Sequence, residues 1–266
     1  RGRTRVLVED GLTGYRRATS DRQIPVSDCP ILMPQVNAAL GALNASQPVD
    51  GEWELALGEP DSTHPDGVRV LPLIAGHEAG PPLDITVGPD TVHIAPGGFA
   101  QTNPLLFDTL IDSVCEATGQ GARLLELYAG SGFFTLPLAR RFTKVMAVES
   151  NAKAISFLNS SARDAGLRGI EACAEDVETF VLSARCTQFL AGVVFVDPPR
   201  AGLGVEVVRA LSKPGPKRLV YLSCDAATLA RDVAGLTQAE WKLMSVTGYD
   251  LFPQTPHVEG LVVLER

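Results

Sequence analysis

The stretch Leu124-Leu125-Glu126-Leu127-Tyr128-Ala129-Gly130-Ser131-Gly132-Phe133 decides the fold. An apolar run ends in two glycines and passes into a helical pattern near Phe133–Arg141. Two such glycines let a backbone turn tightly and approach a ligand at a helix N-terminus. Outward from Arg123–Leu127, the strand candidates are Lys144–Val148, Gly169–Ala172, Gly192–Val196 and Arg218–Leu222. They alternate with helical segments near Ala152–Ala165, Asp176–Ala184, Val205–Leu211 and Ala226–Leu236. Short, uniformly apolar strands alternating with amphipathic helices imply an α/β fold, a parallel sheet covered on both faces. After Leu236 the pattern becomes strand–turn–strand, Trp241–Tyr249 and Val258–Leu264, which predicts an antiparallel pair on the sheet edge.

Residues 1–98 have another texture. Thr4–Val8, Glu52–Leu57, Val68–Leu73, Leu83–Val87 and Thr91–Ala95 read as strands between Gly/Pro clusters, with one helix near Met33–Leu43. This predicts a smaller α+β domain over 1–98, ahead of an α/β domain over 99–266. Apolar residues at 45% and charged residues at 20% exclude collagen-like and disordered chains. No run approaches the ~20 apolar residues of a membrane span, and no leader-like segment opens the chain, so a soluble, cytoplasmic protein is expected. The chain opens on Arg1-Gly2-Arg3 without Met, which reads as a processed or partial chain. A net charge of −8 argues against coating nucleic acid by bulk charge. Residues 1–22 nevertheless carry a local +3 that includes Arg16, Arg17 and Asp21, and residues 198–222 a local +4 that includes Arg200. Solvated surface is the plain alternative for both. The five cysteines contain no C-x-x-C pair, which suits a reduced compartment and predicts no metal site.

Ligands of open α/β sheets sit beyond the carboxyl ends of the strands, so those ends hold the candidates. The third glycine of G-x-G-x-x-G is absent, with bulky Leu136 at that helix start, and an acidic Glu126 lies inside the strand. Both features favour S-adenosylmethionine over a dinucleotide. Glu149, 19 residues after Gly130, can accept hydrogen bonds from adenosine ribose hydroxyls, for either cofactor. Asp197 follows an apolar strand and is fixed by Pro198-Pro199, although a turn-forming Asp is the plain alternative. Arg200 stands where amine-methylating enzymes carry an aromatic residue, which counts against amine chemistry. Cys224 precedes a helix, whose dipole is expected to lower the thiol pKa, with Asp225 opposing. A lone cysteine is more often a small core residue, but two ligand loops on the same edge favour a nucleophile. Glu259 opens a nearly apolar strand; such surroundings raise a carboxyl pKa and suit a general base, the alternative being a protective edge charge. By the period of two, His257 is expected on the same face, orienting Glu259 or touching phosphate.

Five runs then fall in a familiar order: Phe99-Ala100-Gln101-Thr102-Asn103, Glu126–Gly132, Asp197-Pro198-Pro199-Arg200, Ser223-Cys224-Asp225 with Thr228, Arg231 and Asp232, and Phe252–Glu259. Over 99–266 the chain resembles the RNA uracil-5-methyltransferases, and Gly14–Arg17 and Cys29–Leu32 extend the likeness more weakly. The resemblance implies a class I, Rossmann-like methyltransferase sheet, S-adenosyl-L-methionine as cofactor, and tRNA or rRNA as substrate, with no membrane or protein partner implied. It makes Cys224 the nucleophile and Glu259 the base, with Gln101, Tyr128, Gly130, Gly132, Glu149 and Asp197 lining the cofactor and flipped-base pocket. Arg16, Arg17, Arg200 and His257 are candidates for RNA contact, and His257-Val258-Glu259 inclines toward 23S rRNA over tRNA. The family's Ser-Cys-Asn-Pro is Ser-Cys-Asp-Ala here, and of its four iron–sulfur cysteines only Cys29 is matched, so no cluster is expected. The rival readings are a non-catalytic relative binding S-adenosylmethionine and RNA, and an NAD-dependent dehydrogenase.

Overall fold

The computed structural model describes residues 1–17, 20, 22–73 and 80–266; Asp21, counted in the N-terminal charge run, lies outside them. The chain forms two compact units, residues 1–86 with 93–105, and residues 87–92 with 106–266. The first unit contains β1 (Arg3–Glu9), β2 (Leu12–Arg16), β3 (Gln23–Pro25), α1 (Pro34–Ala45), β4 (Gly51–Leu57) and β5 (Val68–Pro72). Its sheet runs β3-β2-β1-β4-β5, antiparallel throughout. Helix α1 starts on Pro34, whose missing N–H costs nothing at that position, and buries Val36, Leu40 and Leu43 against Val6, Leu55 and Val68. The opposite sheet face carries charge: Glu54 accepts from Arg3 at 2.5 Å and from Arg5 at 3.2 Å.

Strands β2 and β3 are additions to the sequence expectation. Glu9 pairs with Leu12, so Asp10-Gly11 is a two-residue hairpin loop, and its φ values of 52° and 72° are those of a type I′ turn. The Asp-Gly pair was a readable signal; Gly14 inside the next strand obscured it. A further hairpin consists of β6 (Leu83–Val87) and β7 (Asp90–Ile94).

The second unit begins with α2 (Phe107–Thr118), which the sequence reading left unassigned. Its buried residues Phe107, Leu110, Ile111, Val114, Cys115 and Thr118 follow the helical period. Then come β8 (Gly121–Leu127), α3 (Thr135–Ala139), β9 (Phe142–Glu149), α4 (Ala152–Asp164), β10 (Ile170–Ala174), α5 (Val177–Leu182) and α6 (Ala184–Phe189). The chain continues through β11 (Val193–Val196), α7 (Gly204–Leu211), β12 (Arg218–Ser223), α8 (Ala226–Thr237), β13 (Lys242–Tyr249) and β14 (Glu259–Glu265). The sheet order is β10-β9-β8-β11-β12-β14-β13, five parallel strands with β14 antiparallel between β12 and β13. The chain order reverses between β8 and β11, the kind of switch point beside which open α/β sheets bind ligands. Outermost β13 exposes Leu243, Met244 and Val246 and has a register irregularity between Leu243 and Ser245. Asp90 is tied to the end of α3 by a two-pronged ion pair from Arg140, at 2.7 and 2.5 Å.

Glu126 breaks the apolar run of β8. Leu125 and Leu127 enter a core cluster with Val194, Val196, Leu219 and Tyr221, while Glu126 is only 1% exposed and its Oε2 has no hydrogen-bond partner among the described residues. Burial pushes its carboxyl up to about 8, so it holds a proton at neutral pH. An unfolded glutamate titrates near ~4.3, so this group favours folding below that pH and the benefit fades as pH rises toward the folded value. The loss is roughly 1.4 kcal/mol per pH unit inside the window. Glu126→Gln is therefore expected to match the wild type in urea unfolding at about pH 4 and to exceed it increasingly toward about pH 8. Fluorescence of buried Trp241, with Trp53 replaced by Phe, reports it; a pH-independent difference between the two proteins would contradict the assignment.

Candidate active site

The register of the sheet assembles the site. Leu127 pairs with Val196 and Val196 with Tyr221, so β8 and β11 end on one line and β12 two residues past it at Ser223, carrying Tyr128, Asp197 and Cys224 beyond the same end of the sheet. Ser223 pairs with Gly260 in the antiparallel ladder, which sets Glu259, the first residue of β14, beside the turn that holds Cys224.

The loop after β8 has left-handed backbone at three positions, Tyr128 (φ 64°), Gly130 (φ 54°) and Gly132 (φ 97°). For Tyr128 that conformation is strained, as often happens where a backbone is held for function. A side chain on Gly132 would press on Leu158 Cγ at 3.0 Å and Leu136 Cδ1 at 3.1 Å, whereas one on Gly130 would meet nothing within 4 Å. The place of a third glycine is taken by fully buried Thr135, followed by fully buried Leu136. Glu149 holds the loop, accepting from Gly130 N at 3.1 Å with Oε2 and from Asn151 N at 2.9 Å and Ser150 Oγ at 3.2 Å with Oε1. One acceptor direction on Oε2 is thus left for a ligand hydroxyl, and the rotatable Ser150 hydroxyl can free a second. An open glycine backbone beside a carboxylate suits an adenosine-bearing cofactor.

Glu259 is 2% exposed, and burial raises its carboxyl to about 7. Asp197 is held well above the usual carboxylate range, first by burial and then by Glu259 and Glu126. Cys224 departs from expectation. Its thiol is pushed up, not down, by burial and then by the charges of Glu259 and Asp197, with Arg200 opposing. Asp225 caps the N-terminus of α8, accepting from Thr228 N at 2.9 Å and Thr228 Oγ1 at 3.1 Å. Those bonds lower the Asp225 carboxyl, so the residue expected to hinder the thiol acts as a helix cap.

His257 lies ahead of β14, so the strand period does not place it on the face of Glu259. Its ring meets Phe252 edge-on at 6.2 Å, and its backbone N–H donates to Thr255 Oγ1 at 3.3 Å. Arg200 is exposed on the loop after Asp197. Gln101, buried, and Arg16 and Arg17, both exposed, belong to the first unit, where Arg16 pairs with Glu52 at 3.3 Å. Sequence reasoning gave Thr228, Arg231 and Asp232 no role of their own, yet they hold the Asp197 loop. Thr228 Oγ1 donates to Arg200 O at 3.0 Å, Arg231 Nη2 to Ala201 O at 2.8 Å, and Asp232 accepts from Leu203 N at 2.7 Å. Their spacing on one face of α8 was the available signal.

A thiol, a buried carboxyl that titrates near neutrality and an open glycine loop therefore share one sheet edge. Residues 91–266 match the family model described as tRNA (uracil-5-)-methyltransferase. A 23S rRNA (uracil(1939)-C(5))-methyltransferase of Pseudomonas fluorescens is 36% identical over 178 residues, covering 65% of this chain and 39% of the relative. The corresponding Pseudomonas aeruginosa protein is 29% identical over 95% of this chain and 63% of the relative. The chain thus spans between 39% and 63% of the length of these relatives. In fold, it is similar to the tRNA (uracil-54, C5)-methyltransferase of Pyrococcus abyssi, solved in complex with S-adenosyl-L-homocysteine. The TM-score is 0.76 at 22% identity, over 99% of this chain and 75% of the other. Since that match to the family model takes in every strand of the seven-stranded sheet and both Cys224 and Glu259, the chain belongs to the tRNA (uracil-5-)-methyltransferase family.

Proposed function

We propose that this protein methylates C5 of a uridine in RNA through a covalent bond between Cys224 and C6 of the base. The observation that carries the reading is the sheet register that sets Glu259 beside the Cys224 turn, on the edge that also bears the open glycine loop. The Tyr128–Gly132 loop and Glu149 would hold S-adenosyl-L-methionine, which would supply an electrophilic methyl group, its S–CH3 bond breaking as C5 takes the methyl and S-adenosyl-L-homocysteine being left. Uracil C5 alone is too weak a nucleophile for that methyl group. Addition of the Cys224 thiolate to C6 pushes electrons onto C5 and O4, giving C5 carbanion character. Once C5 carries the methyl group, Glu259 takes the C5 proton, the C6–S bond breaks, and Cys224 leaves as thiolate. Asp197, whose carboxyl burial, Glu259 and Glu126 hold well above the usual carboxylate range, offers a hydrogen bond from its protonated form to a carbonyl oxygen of the base. The base must leave its stack to reach Cys224.

We assign residues 1–98 to RNA contact through Arg16 and Arg17, joined by Arg200 and His257 around the catalytic domain of residues 99–266. Phosphate contacts of this kind position RNA without reading its sequence. The substrate we favour is 23S rRNA over tRNA, which the names of the Pseudomonas relatives support.

RNA carrying 5-fluorouridine tests the chemistry, because fluorine at C5 leaves Glu259 no proton to remove. Mass spectrometry is expected to find protein joined to methylated RNA at Cys224, and Cys224→Ser to abolish the adduct; an adduct elsewhere overturns the mechanism. With ordinary RNA, Glu259→Gln is expected to slow turnover by about 100-fold or more and to accumulate the Cys224 adduct, since addition survives and release does not. For the wild type, the rate is expected to rise with pH through about 7, where Glu259 loses its proton, and to keep rising as the Cys224 thiol ionises above it. A rate that falls over this range would exclude Glu259 as the base.

A further inference from the structure

We infer that Asp232 is a positioning residue, locking the loop that carries Asp197 to the strand and turn that carry Cys224. The inference rests on the proposed methyl transfer and extends it to how the site is held. Asp232 is 3% exposed, and burying a carboxylate is expensive unless donors surround it. The donors come from three elements. Oδ2 accepts from Leu203 N at 2.7 Å, at the end of the Asp197 loop, and from Tyr221 OH at 2.9 Å, on β12 three residues before Cys224. Oδ1 accepts from Arg231 Nε at 2.9 Å, and the same guanidinium reaches back to Ala201 O at 2.8 Å.

Loop backbone and carboxylate lie so close that no side chain fits between them. Gly202 has φ 78°, and a Cβ there would run into Asp232 Oδ2 and come within 2.6 Å of Arg231 Nη2. The loop is therefore seated directly on α8, with Asp232 as the common acceptor. Its release would move Asp197 and Arg200 away from the thiol together. The charged groups facing Cys224 are Glu259 from β14 and Asp197 and Arg200 from the loop, with Asp225 its neighbour at the cap of α8. Release of the loop uncovers the half-buried thiol and so relieves the burial that is the first cause of its raised pKa.

The test is iodoacetamide alkylation of the intact chain near neutral pH, with each cysteine followed by peptide mass spectrometry. Asp232→Asn puts an amide N–H against the Arg231 or Leu203 donor. It is expected to speed Cys224 alkylation by about fivefold or more, because the thiolate is the reactive species. Buried Cys115 and Cys173 should keep their wild-type rates. Arg231→Ala, at a more exposed position, should act in the same direction to a smaller extent, and it decides the matter if Asp232→Asn does not fold. Unchanged Cys224 alkylation in the folded variants, or equal acceleration at Cys115 and Cys173, overturns the inference in favour of a purely structural role. In methyl transfer to RNA, the variants should lose about tenfold or more in kcat with little change in the KM for S-adenosylmethionine, as for a misplaced reacting group. Alkylation needs no substrate. If the wild type transfers no methyl group while the Cys224-selective acceleration holds, the functional reading fails and the positioning role of Asp232 stands.

Discussion

The line formed by Leu127, Val196 and Tyr221 across three parallel strands is the constraint on which the rest of the second unit depends. Parallel register fixes where each strand stops, and every stop opens onto chemistry: a strained glycine loop, an Asp-Pro-Pro turn and a cysteine. None of these three loops contacts another by virtue of sequence proximity. They meet because β8 and β11 end level with Tyr221, β12 runs two residues further to Ser223, and β14 returns antiparallel and delivers Glu259 to the same edge. A one-residue slip in any of these ladders would turn the next side chain to the other face.

Electrostatics at that edge are dominated by burial. Glu126, Asp197 and Glu259 all hold their protons more tightly than a solvated carboxylate does, and each charge that forms makes the others and the thiol harder to ionise. That arrangement costs thiolate population, yet it preserves in Glu259 a carboxyl that titrates near neutrality. The expectation that a helix N-terminus would lower the Cys224 thiol failed because burial first, and then Glu259 and Asp197, hold its proton.

Much of this was legible in the sequence. Apolar runs bounded by Gly and Pro marked the five parallel strands, and the terminal strand–turn–strand pattern marked the antiparallel pair. The position of β14 between β12 and β13 was not legible, because sequence order says nothing of which strand of a hairpin faces the sheet. Helix α2 carried an open helical pattern from Phe107 to Thr118 that went unused beside the Gln101 motif. Among site residues, Tyr128, Gly130, Glu149, Asp197, Cys224 and Glu259 could be named as strand-end groups. The bonds from Asp232 to Leu203 and Tyr221 could not, since they span 29 and 11 residues and depend on how α8 packs.

The outermost strand has a colloidal consequence. Along β13 one row of backbone N–H and C=O groups faces no neighbouring strand among the described residues, and Leu243, Met244 and Val246 stand in the open beside it. Such an edge is a template for growth by strand addition, and its defences here are modest: the irregularity between Leu243 and Ser245, and the charge of Lys242. Concentrated solutions of the native, fully folded protein are therefore exposed to sheet-by-sheet self-association at this border, a hazard that greater thermal stability would leave untouched and that one more charge on β13 would relieve.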